Sequence, residues 1–245
     1  MTNINSDKMK RIFLNLFFFS AVFMQSCETD NYDSPNASVQ GVIYDANDKP
    51  LELEQGAGSC RLRMDEISWS ENPVPLYFNF RQDGSYLNNK VFSGTYVATP
   101  VEGPFYPVVG DTINVSGNTT HDFHVVPYLD VEWVGEPQLL PDNKVTATFR
   151  FKRNPGPAGQ PMPNMMDYQL FISNTKYVGN NNFDGTRVGQ PVAVTNDKEN
   201  TNITITSVQP MKYETTYYIR IGIKVNDTYR KYNYSSVKTV TVPAL

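Results

Sequence analysis

The chain has 245 residues, with 21 Lys and Arg against 25 Asp and Glu, which gives a formal net charge of −4. This charge argues against a nucleic-acid binder, which needs a basic face, and the 40% hydrophobic and 13% aromatic content argues against a disordered chain. Two cysteines and two histidines are too few for a disulfide scaffold or a thiolate zinc site, and they leave little material for histidine-based catalysis.

The N-terminal residues have the pattern of an export signal. Three basic side chains between residues 8 and 11 precede an apolar run over residues 12–24. That run suits a signal peptide but falls short of the ~20 residues of a membrane-spanning helix. Ser26 directly precedes Cys27, which resembles the relaxed lipobox of Bacteroidota lipoproteins and implies cleavage after Ser26 and lipidation of Cys27. The alternative is an ordinary secretory signal, with Cys27 a chance residue.

Acidic residues follow this cysteine. Glu28, Asp30 and Asp33 resemble the surface-export signal of Bacteroidota lipoproteins, which implies a lipoprotein of the outer membrane that faces outward; a merely solvated linker is the alternative. We therefore predict a signal peptide over residues 1–26 and a flexible tether over residues 27–35, with the N-terminal lipid as the membrane anchor. Residues 1–26 hold three basic side chains and one acidic one, so the remaining chain has a net charge of −6.

After residue 35, short runs with a period of two recur between Gly, Pro, Asn and Asp, and they predict β-strands. In the first half the predicted strands cover residues 39–44, 60–64, 76–81, 94–99 and 119–126. Cys60 alternates with Leu62 and Met64, which predicts a small buried core residue and not a catalytic thiol. Asp83 and Gly84 predict a hairpin turn.

The order of these segments resembles the prealbumin-like, or carboxypeptidase-regulatory-like, β-sandwich over residues 36–126. The residues that carry this resemblance are 41–45, 49–51, 83–86 and 92–96. The longer string 83–96, together with residues 121–129, resembles a family of Bacteroidota outer-membrane lipoproteins that has no assigned activity. Members of that family are encoded beside starch-utilisation-type transporters and their glycan-binding partners, which implies a polysaccharide-utilisation system and such proteins as partners.

The second half predicts about seven strands, a number that suits an immunoglobulin-like sandwich over residues 127–245. They cover residues 129–134, 144–151, 168–173, 190–194, 202–206, 215–225 and 237–242. Residues 215–221 resemble the sixth strand of a fibronectin type III domain, although Pro210 lies seven residues before Tyr217, a longer gap than that family shows. Because proline ends a strand, we place the domain boundary near Pro127, and the proline-rich residues 154–165 predict a long loop.

Alternation along residues 215–225 also separates a buried face from an outer one. The predicted core residues are Tyr217, Ile219, Ile221, Ile223 and Val225. Tyr218, Arg220 and Lys224 are predicted to face outward, with Gly222 between them.

The pattern of reactive residues favours neither an enzyme nor a metal or cofactor site. His121 and His124 are three apart, which places them on opposite faces of a strand, so they cannot easily chelate one metal. Acidic pairs such as Asp65 with Glu66 do not differ in sequence from ordinary surface carboxylates, and a glycosidase pair needs a cleft. Residues 180–185 are rich in oxygen ligands but lack the calcium-loop spacing, and no nucleotide or nucleophile motif occurs.

Aromatic residues in turn-rich segments are the strongest candidates for a binding role, because aromatic rings pack against the C–H faces of sugars. The predicted carbohydrate-binding residues are Trp69, Tyr177, Phe183, Tyr229, Tyr232 and Tyr234. The alternative for the tyrosines is packing at strand edges, where Tyr is a favoured residue.

The sequence thus predicts an all-β protein with two β-sandwich domains in tandem. We expect a non-catalytic lipoprotein of the cell surface that binds an oligo- or polysaccharide as an accessory component of an uptake system. A structural or docking subunit of an outer-membrane transporter complex, without sugar binding, is the first alternative, and a glycan-processing enzyme is less favoured.

Overall fold

Regular structure is almost entirely β-strand, as the alternating pattern predicts. The computed structural model describes residues 33–56, 58–157 and 159–243. Within these ranges the strands pair into four sheets, and the one helical element is the short 3-10 turn Asn196–Lys198. No helix of the described residues is long and apolar enough to cross a membrane. The prediction of an all-β protein with two tandem domains is confirmed.

Two sheets of four strands form the first domain. The first sheet contains β1 (Ala37–Tyr44), β4 (Ser85–Val91), β7 (Asn118–Thr120) and β8 (Phe123–His124). The second has the order β3-β2-β5-β6 and contains β2 (Arg61–Glu66), β3 (Leu76–Asn79), β5 (Gly94–Val101) and β6 (Asp111–Val115). Apolar side chains from both sheets meet in one hydrophobic core.

Cys60 lies in this first core, in the place that its alternation with Leu62 and Met64 predicts. All three side chains are buried, and Cys60 is a free cysteine. Burial raises the pKa of the Cys60 thiol well above its ordinary value, so the sulfur stays protonated and acts as a small apolar group.

The predicted turn at Asp83-Gly84 joins β3 to β4. Gly84 has a φ of +76°, a left-handed conformation that glycine adopts without strain. A Cβ at this position would lie 2.9 Å from the carbonyl oxygens of Ile43 and Leu51. The turn therefore packs directly on the end of β1 and on the segment after it, and this contact fixes where residues 81–85 stand.

Two further sheets form the second domain. One contains β9 (Leu129–Trp133), β10 (Gln138–Leu139), β11 (Val145–Arg153) and β14 (Ile203–Thr206). The other contains β12 (Met165–Ser173), β13 (Val192–Ala193), β15 (Thr216–Val225), β16 (Tyr232–Tyr234) and β17 (Lys238–Thr241). The seven predicted strands are present, whereas β10 and β16 were not predicted because two or three residues do not establish a period.

Strand β15 pairs with β12, β16 and β17 and is central to its sheet. Its five predicted core residues are all buried. The hydroxyl oxygen of Tyr217 accepts a hydrogen bond of 2.9 Å from the backbone N–H of Tyr213, which fastens the start of the strand to the preceding turn. The prediction that Arg220 faces solvent is wrong, because its side chain is 0% exposed.

Arg220 is buried because the first domain covers the outer face of β15. Its Nη1 donates to the carbonyl oxygen of Leu53 at 2.7 Å, and its Nη2 lies 2.7 Å from Oε2 of Glu52. Within the second domain its Nε donates to the carbonyl oxygen of Ser235 at 2.9 Å, and the guanidinium stands 4.4 Å from the centre of the Tyr234 ring. One cation thus joins groups of both domains.

Further hydrogen bonds cross the same boundary. The side-chain amide of Asn233 donates to the carbonyl oxygen of Pro104 at 2.8 Å. The backbone N–H of Asn181 donates to the carboxylate of Glu54, and Nζ of Lys231 donates to the carbonyl oxygen of Gly58. These contacts, added to those of Arg220, hold the two sandwiches in one arrangement.

We predict that Arg220→Ala lowers the free energy of unfolding by about 3–5 kcal/mol, because removing one partner leaves Glu52 and buried carbonyl oxygens without a donor. Urea denaturation followed by circular dichroism measures this loss. The control is Arg150→Ala, which removes an exposed pair with Glu132 at 3.6 Å and should cost about 1 kcal/mol or less. Equal losses in the two variants would contradict the role given to Arg220.

Candidate functional site

A cleft with a volume of about 1160 Å³ lies between the two domains. The first domain contributes the segment around Pro50 and the turn at residues 81–85. The second domain contributes Lys176, Tyr177 and Tyr218. Small-molecule sites commonly occur at domain interfaces and occupy about 300–1,000 Å³, so this cleft has room for an extended ligand.

The cleft is closed at one side by a direct contact between the domains. Nε2 of Gln82 donates to the carbonyl oxygen of Lys176 at 2.9 Å, and the backbone N–H of Gln82 donates to Oε1 of Gln55 at 3.0 Å. Glu52 also lines the cleft, but its carboxylate is bonded to Arg220. The domain contacts described above therefore shape the cleft.

Tyr177 is an aromatic ring that this cleft presents to solvent. It lies on the loop after β12, where the side-chain amide of Asn182 donates to the carbonyl oxygen of Tyr177 at 2.6 Å and to the hydroxyl of Thr175 at 2.7 Å. The next residue, Val178, is buried. These contacts hold the backbone on both sides of Tyr177, while the residue stays 46% exposed.

The pKa values of the charged groups in and beside the cleft shift in different directions. Burial raises the pKa of Glu52, and the charges of Arg220 and Lys49 act in the opposite direction. Partial burial also acts to raise the pKa of Asp83, but the hydrogen bonds from Ser85 and the charge of Arg81 act in the opposite direction, and the pKa lies below its ordinary value. Burial lowers the pKa of Arg220, yet an arginine side chain does not lose its proton in proteins.

The structure separates the aromatic residues that the sequence groups as carbohydrate-binding. Tyr177 lines the interdomain cleft. Trp69 is 83% exposed on the loop between β2 and β3, and it is not among the residues that line the cleft. Tyr229 lines a different pocket of about 280 Å³, beside Tyr106 and Tyr128. The six residues thus form no single surface.

The expectation that Tyr232 and Tyr234 lie on an exposed loop is wrong. They form strand β16 and are 7% and 6% exposed. Both rings pack against Phe171, and Phe183 contacts the same ring edge-on, with centroids 5.2 Å apart. The physical reason is Gly222, where a Cβ would lie 2.7 Å from the ring of Phe171 and 2.8 Å from that of Tyr232. The missing side chain leaves the space that these rings fill.

Apart from Tyr177, the residues that line the cleft were not predicted from the sequence as binding residues. Arg81 and Gln82 precede a turn, and Lys176 lies in a loop, where charged and amide side chains are ordinary. Tyr218 was placed correctly on the outer face of β15, and it is half-buried beside the cleft. The outward position of Tyr218 was the available signal for a binding role, but the sequence does not show which part of the protein lies opposite the outer face of β15.

The two histidines do not line the cleft. Nε2 of His121 is 3.0 Å from Asp111, and Nε2 of His124 is 3.0 Å from Asp48, so each histidine has its own acidic neighbour. In the part of the chain that the structure describes, no group of three or more His, Cys, Asp or Glu side chains could hold a metal ion. Asp33 is exposed. Cys27, Glu28 and Asp30 lie outside the described residues.

Glu54 lies next to the cleft in the boundary between the domains. Burial raises the pKa of its carboxyl group above the ordinary value. The hydrogen bond from Asn181 and the nearby Tyr234, Lys231 and Arg220 act in the opposite direction but do not outweigh burial. Removing the charge at this position therefore relieves a cost of desolvation.

Family comparisons cover most of the described chain. Residues 37–126 match the N-terminal domain of a protein of unknown function, DUF3823, and residues 138–239 match the DUF3823 C-terminal domain, also of unknown function. No curated protein sequence matches the chain.

Solved structures of proteins from Bacteroides and Parabacteroides species have a similar fold. A DUF3823 family protein from Bacteroides uniformis is 25% identical, with a TM-score of 0.76 over 85% of this chain and 100% of its own. A candidate carbohydrate binding protein from the same species is also 25% identical, with a TM-score of 0.66 over 84% and 99%. A DUF3823 family protein from Parabacteroides merdae is 20% identical, with a TM-score of 0.67 over 85% and 100%.

We predict that Glu54→Gln raises the melting temperature relative to the parent protein at pH 8, and that this advantage shrinks as the pH falls toward 4. The pKa of Glu54 is higher in the folded state than in the unfolded state. The parent protein is therefore most stable below the unfolded-state pKa, and it loses stability as the pH rises through the folded-state pKa. Glutamine does not titrate, and its side-chain oxygen still accepts from Asn181. Differential scanning fluorimetry across this range measures the difference.

The control is Glu71→Gln at an exposed position, which measures how replacing a glutamate with glutamine changes the melting temperature without burial. An advantage of Glu54→Gln that grew as the pH fell would contradict the prediction.

Proposed function

The chain belongs to the DUF3823 family, and we propose from its interdomain cleft that it is a non-catalytic carbohydrate-binding protein. The observation that carries this proposal is the exposed ring of Tyr177 on the wall of a large cleft with polar and charged side chains. Sugars offer flat C–H faces to such rings and hydroxyl groups to amides and charges. The likeness to the Bacteroides uniformis candidate carbohydrate binding protein supports the same function.

The carboxylates of the cleft favour binding over hydrolysis. A glycosidase needs two carboxyl groups that are free to exchange protons or attack the sugar. Here Glu52 is bonded to Arg220 at 2.7 Å, and Asp83 accepts hydrogen bonds from the backbone N–H and the hydroxyl of Ser85. Both carboxylates thus have structural partners, which is why we propose a binding protein and not an enzyme.

We propose further that Cys27 carries a lipid, that residues 27–35 form the tether, and that the protein stands on the outer surface of the outer membrane. Acidic residues beside the cysteine and an apolar segment before it support this placement. A tethered cleft holds oligosaccharide close to a transporter, so a starch-utilisation-type transporter and its lipoproteins are the proposed partners.

A docking subunit is the second candidate, and one observation favours it. The loop between β2 and β3 and the start of β3 expose the apolar side chains Ile67, Trp69, Val74 and Leu76. Apolar side chains that lie together on a surface commonly mark a protein interface. Recovery of partner proteins from solubilised membranes, combined with no affinity for any glycan, would favour this candidate.

We predict that Tyr177→Ala weakens glycan binding about tenfold, because an aromatic contact contributes about 0.5–1.5 kcal/mol beyond its buried area. Isothermal titration of the chain from residue 27 against plant and host polysaccharides identifies a ligand and measures the loss. Trp69→Ala is the matched control, since its ring is exposed elsewhere on the first domain. Unchanged affinity in Tyr177→Ala with loss in Trp69→Ala would move the site to the Trp69 loop.

We predict that Cys27→Ser abolishes incorporation of a clickable palmitate analogue and moves the protein out of the membrane fraction, because the acyl chains supply the anchor. Cys60→Ser is the matched control, since the Cys60 thiol is buried in the first core and should not affect labelling. Labelling that persisted in Cys27→Ser would show that the anchor is elsewhere.

A further inference from the structure

Three cations line the interdomain cleft without an ion-pair partner. They are Lys49, Arg81 and Lys176. None of the salt bridges among the described residues includes any of the three. All three residues are exposed, and Nζ of Lys176 stands 5.1 Å from the centre of the Tyr177 ring.

The acidic side chains of the cleft offset these cations only in part, since the charge of Arg81 acts on Asp83 and that of Lys49 on Glu52. The charge of Glu52 is matched by the buried guanidinium of Arg220. Asp83 remains as one ionised carboxylate, against three cations. The cleft thus has a local excess of positive charge, whereas the whole chain has a net charge of −4.

We propose that the cleft recognises an acidic saccharide, one that carries carboxylate or sulfate groups, and this inference rests on the proposed carbohydrate-binding function. The planar guanidinium of Arg81 can donate two parallel hydrogen bonds to either anion, while Lys49 and Lys176 supply point charges. Nζ of Lys176 lies over the Tyr177 ring, so the ammonium group and the ring are close enough to contact the same sugar. A neutral glycan would leave the excess of positive charge in the cleft without a counter-charge.

Matched pairs of ligands test the sign of the charge. One pair is oligogalacturonate and its fully methyl-esterified counterpart, and the other is a sulfated carrageenan oligosaccharide and a neutral agaro-oligosaccharide. Isothermal titration of the chain from residue 27 should show that the charged member of at least one pair binds at least tenfold more tightly at low salt. The preference should shrink at 1 M salt, because exposed charges are then screened.

Variants place this preference in the cleft. The double variant Arg81→Gln, Lys176→Gln should lose at least tenfold in affinity for the charged ligand and little for its neutral counterpart. Lys90→Gln is the matched control, because Lys90 is an exposed cation on β4 that does not line the cleft, and it should bind as the parent protein does. Equal unfolding midpoints confirm that the variants are folded.

The outcomes separate this inference from the function on which it rests. Binding of the neutral members with equal or greater affinity, or charged binding that the double variant retains, would overturn the acidic-ligand inference and leave carbohydrate binding standing. Absence of binding to every member of the pairs and of the wider panel would overturn both.

Discussion

The buried guanidinium of Arg220 is the contact on which the arrangement of the two domains depends. Moving a charge out of water costs several kcal/mol unless hydrogen bonds and a counter-charge replace the lost solvation. The residues next to Arg220 across the sheet supply neither, since they include the rings of Phe171 and Tyr234 and the glycine at position 222. The second domain offers the carbonyl oxygens of Ser235 and Val178, and the first domain brings the carbonyl of Leu53 and the carboxylate of Glu52, which is the counter-charge. Only the docked arrangement satisfies the cation, so docking and the folding of this face are coupled.

The cleft follows from this docking. Because the domains meet where Glu52 and Leu53 contact β15, the turn at residues 81–85 and the loop that carries Tyr177 both line the cleft, one from each domain. Gln82 fixes their separation by donating to the carbonyl oxygen of Lys176. A site whose walls are already in place spends less free energy on ordering when a ligand binds. The stability of the boundary thus bears directly on affinity.

Alternation in the sequence predicted much of the fold because a period of two separates the faces of a strand. It placed Cys60 and the five apolar residues of β15 in the cores, and turn chemistry located Gly84. It failed at Arg220 because alternation shows which side chains share a face and not what covers that face. Gly222 was the available signal, since glycine within a strand marks a close approach of other groups. Tyr177 was predicted as a binding residue, but its partners at residues 81–85 come from the other domain, and no local pattern encodes that contact.

The sign of the charge in the cleft is a consequence of how the domains are joined. Segment 50–55 carries two acids, and both are used at the boundary: Glu52 bonds to Arg220, and Glu54 accepts from the backbone of Asn181. With these carboxylates engaged, Lys49, Arg81 and Lys176 supply most of the charge that the cleft presents to solvent. A boundary held by apolar contacts alone would have left Glu52 free beside Lys49, with the two charges offsetting each other. The buried cation therefore determines both the shape of the cleft and the charge that it offers to a ligand.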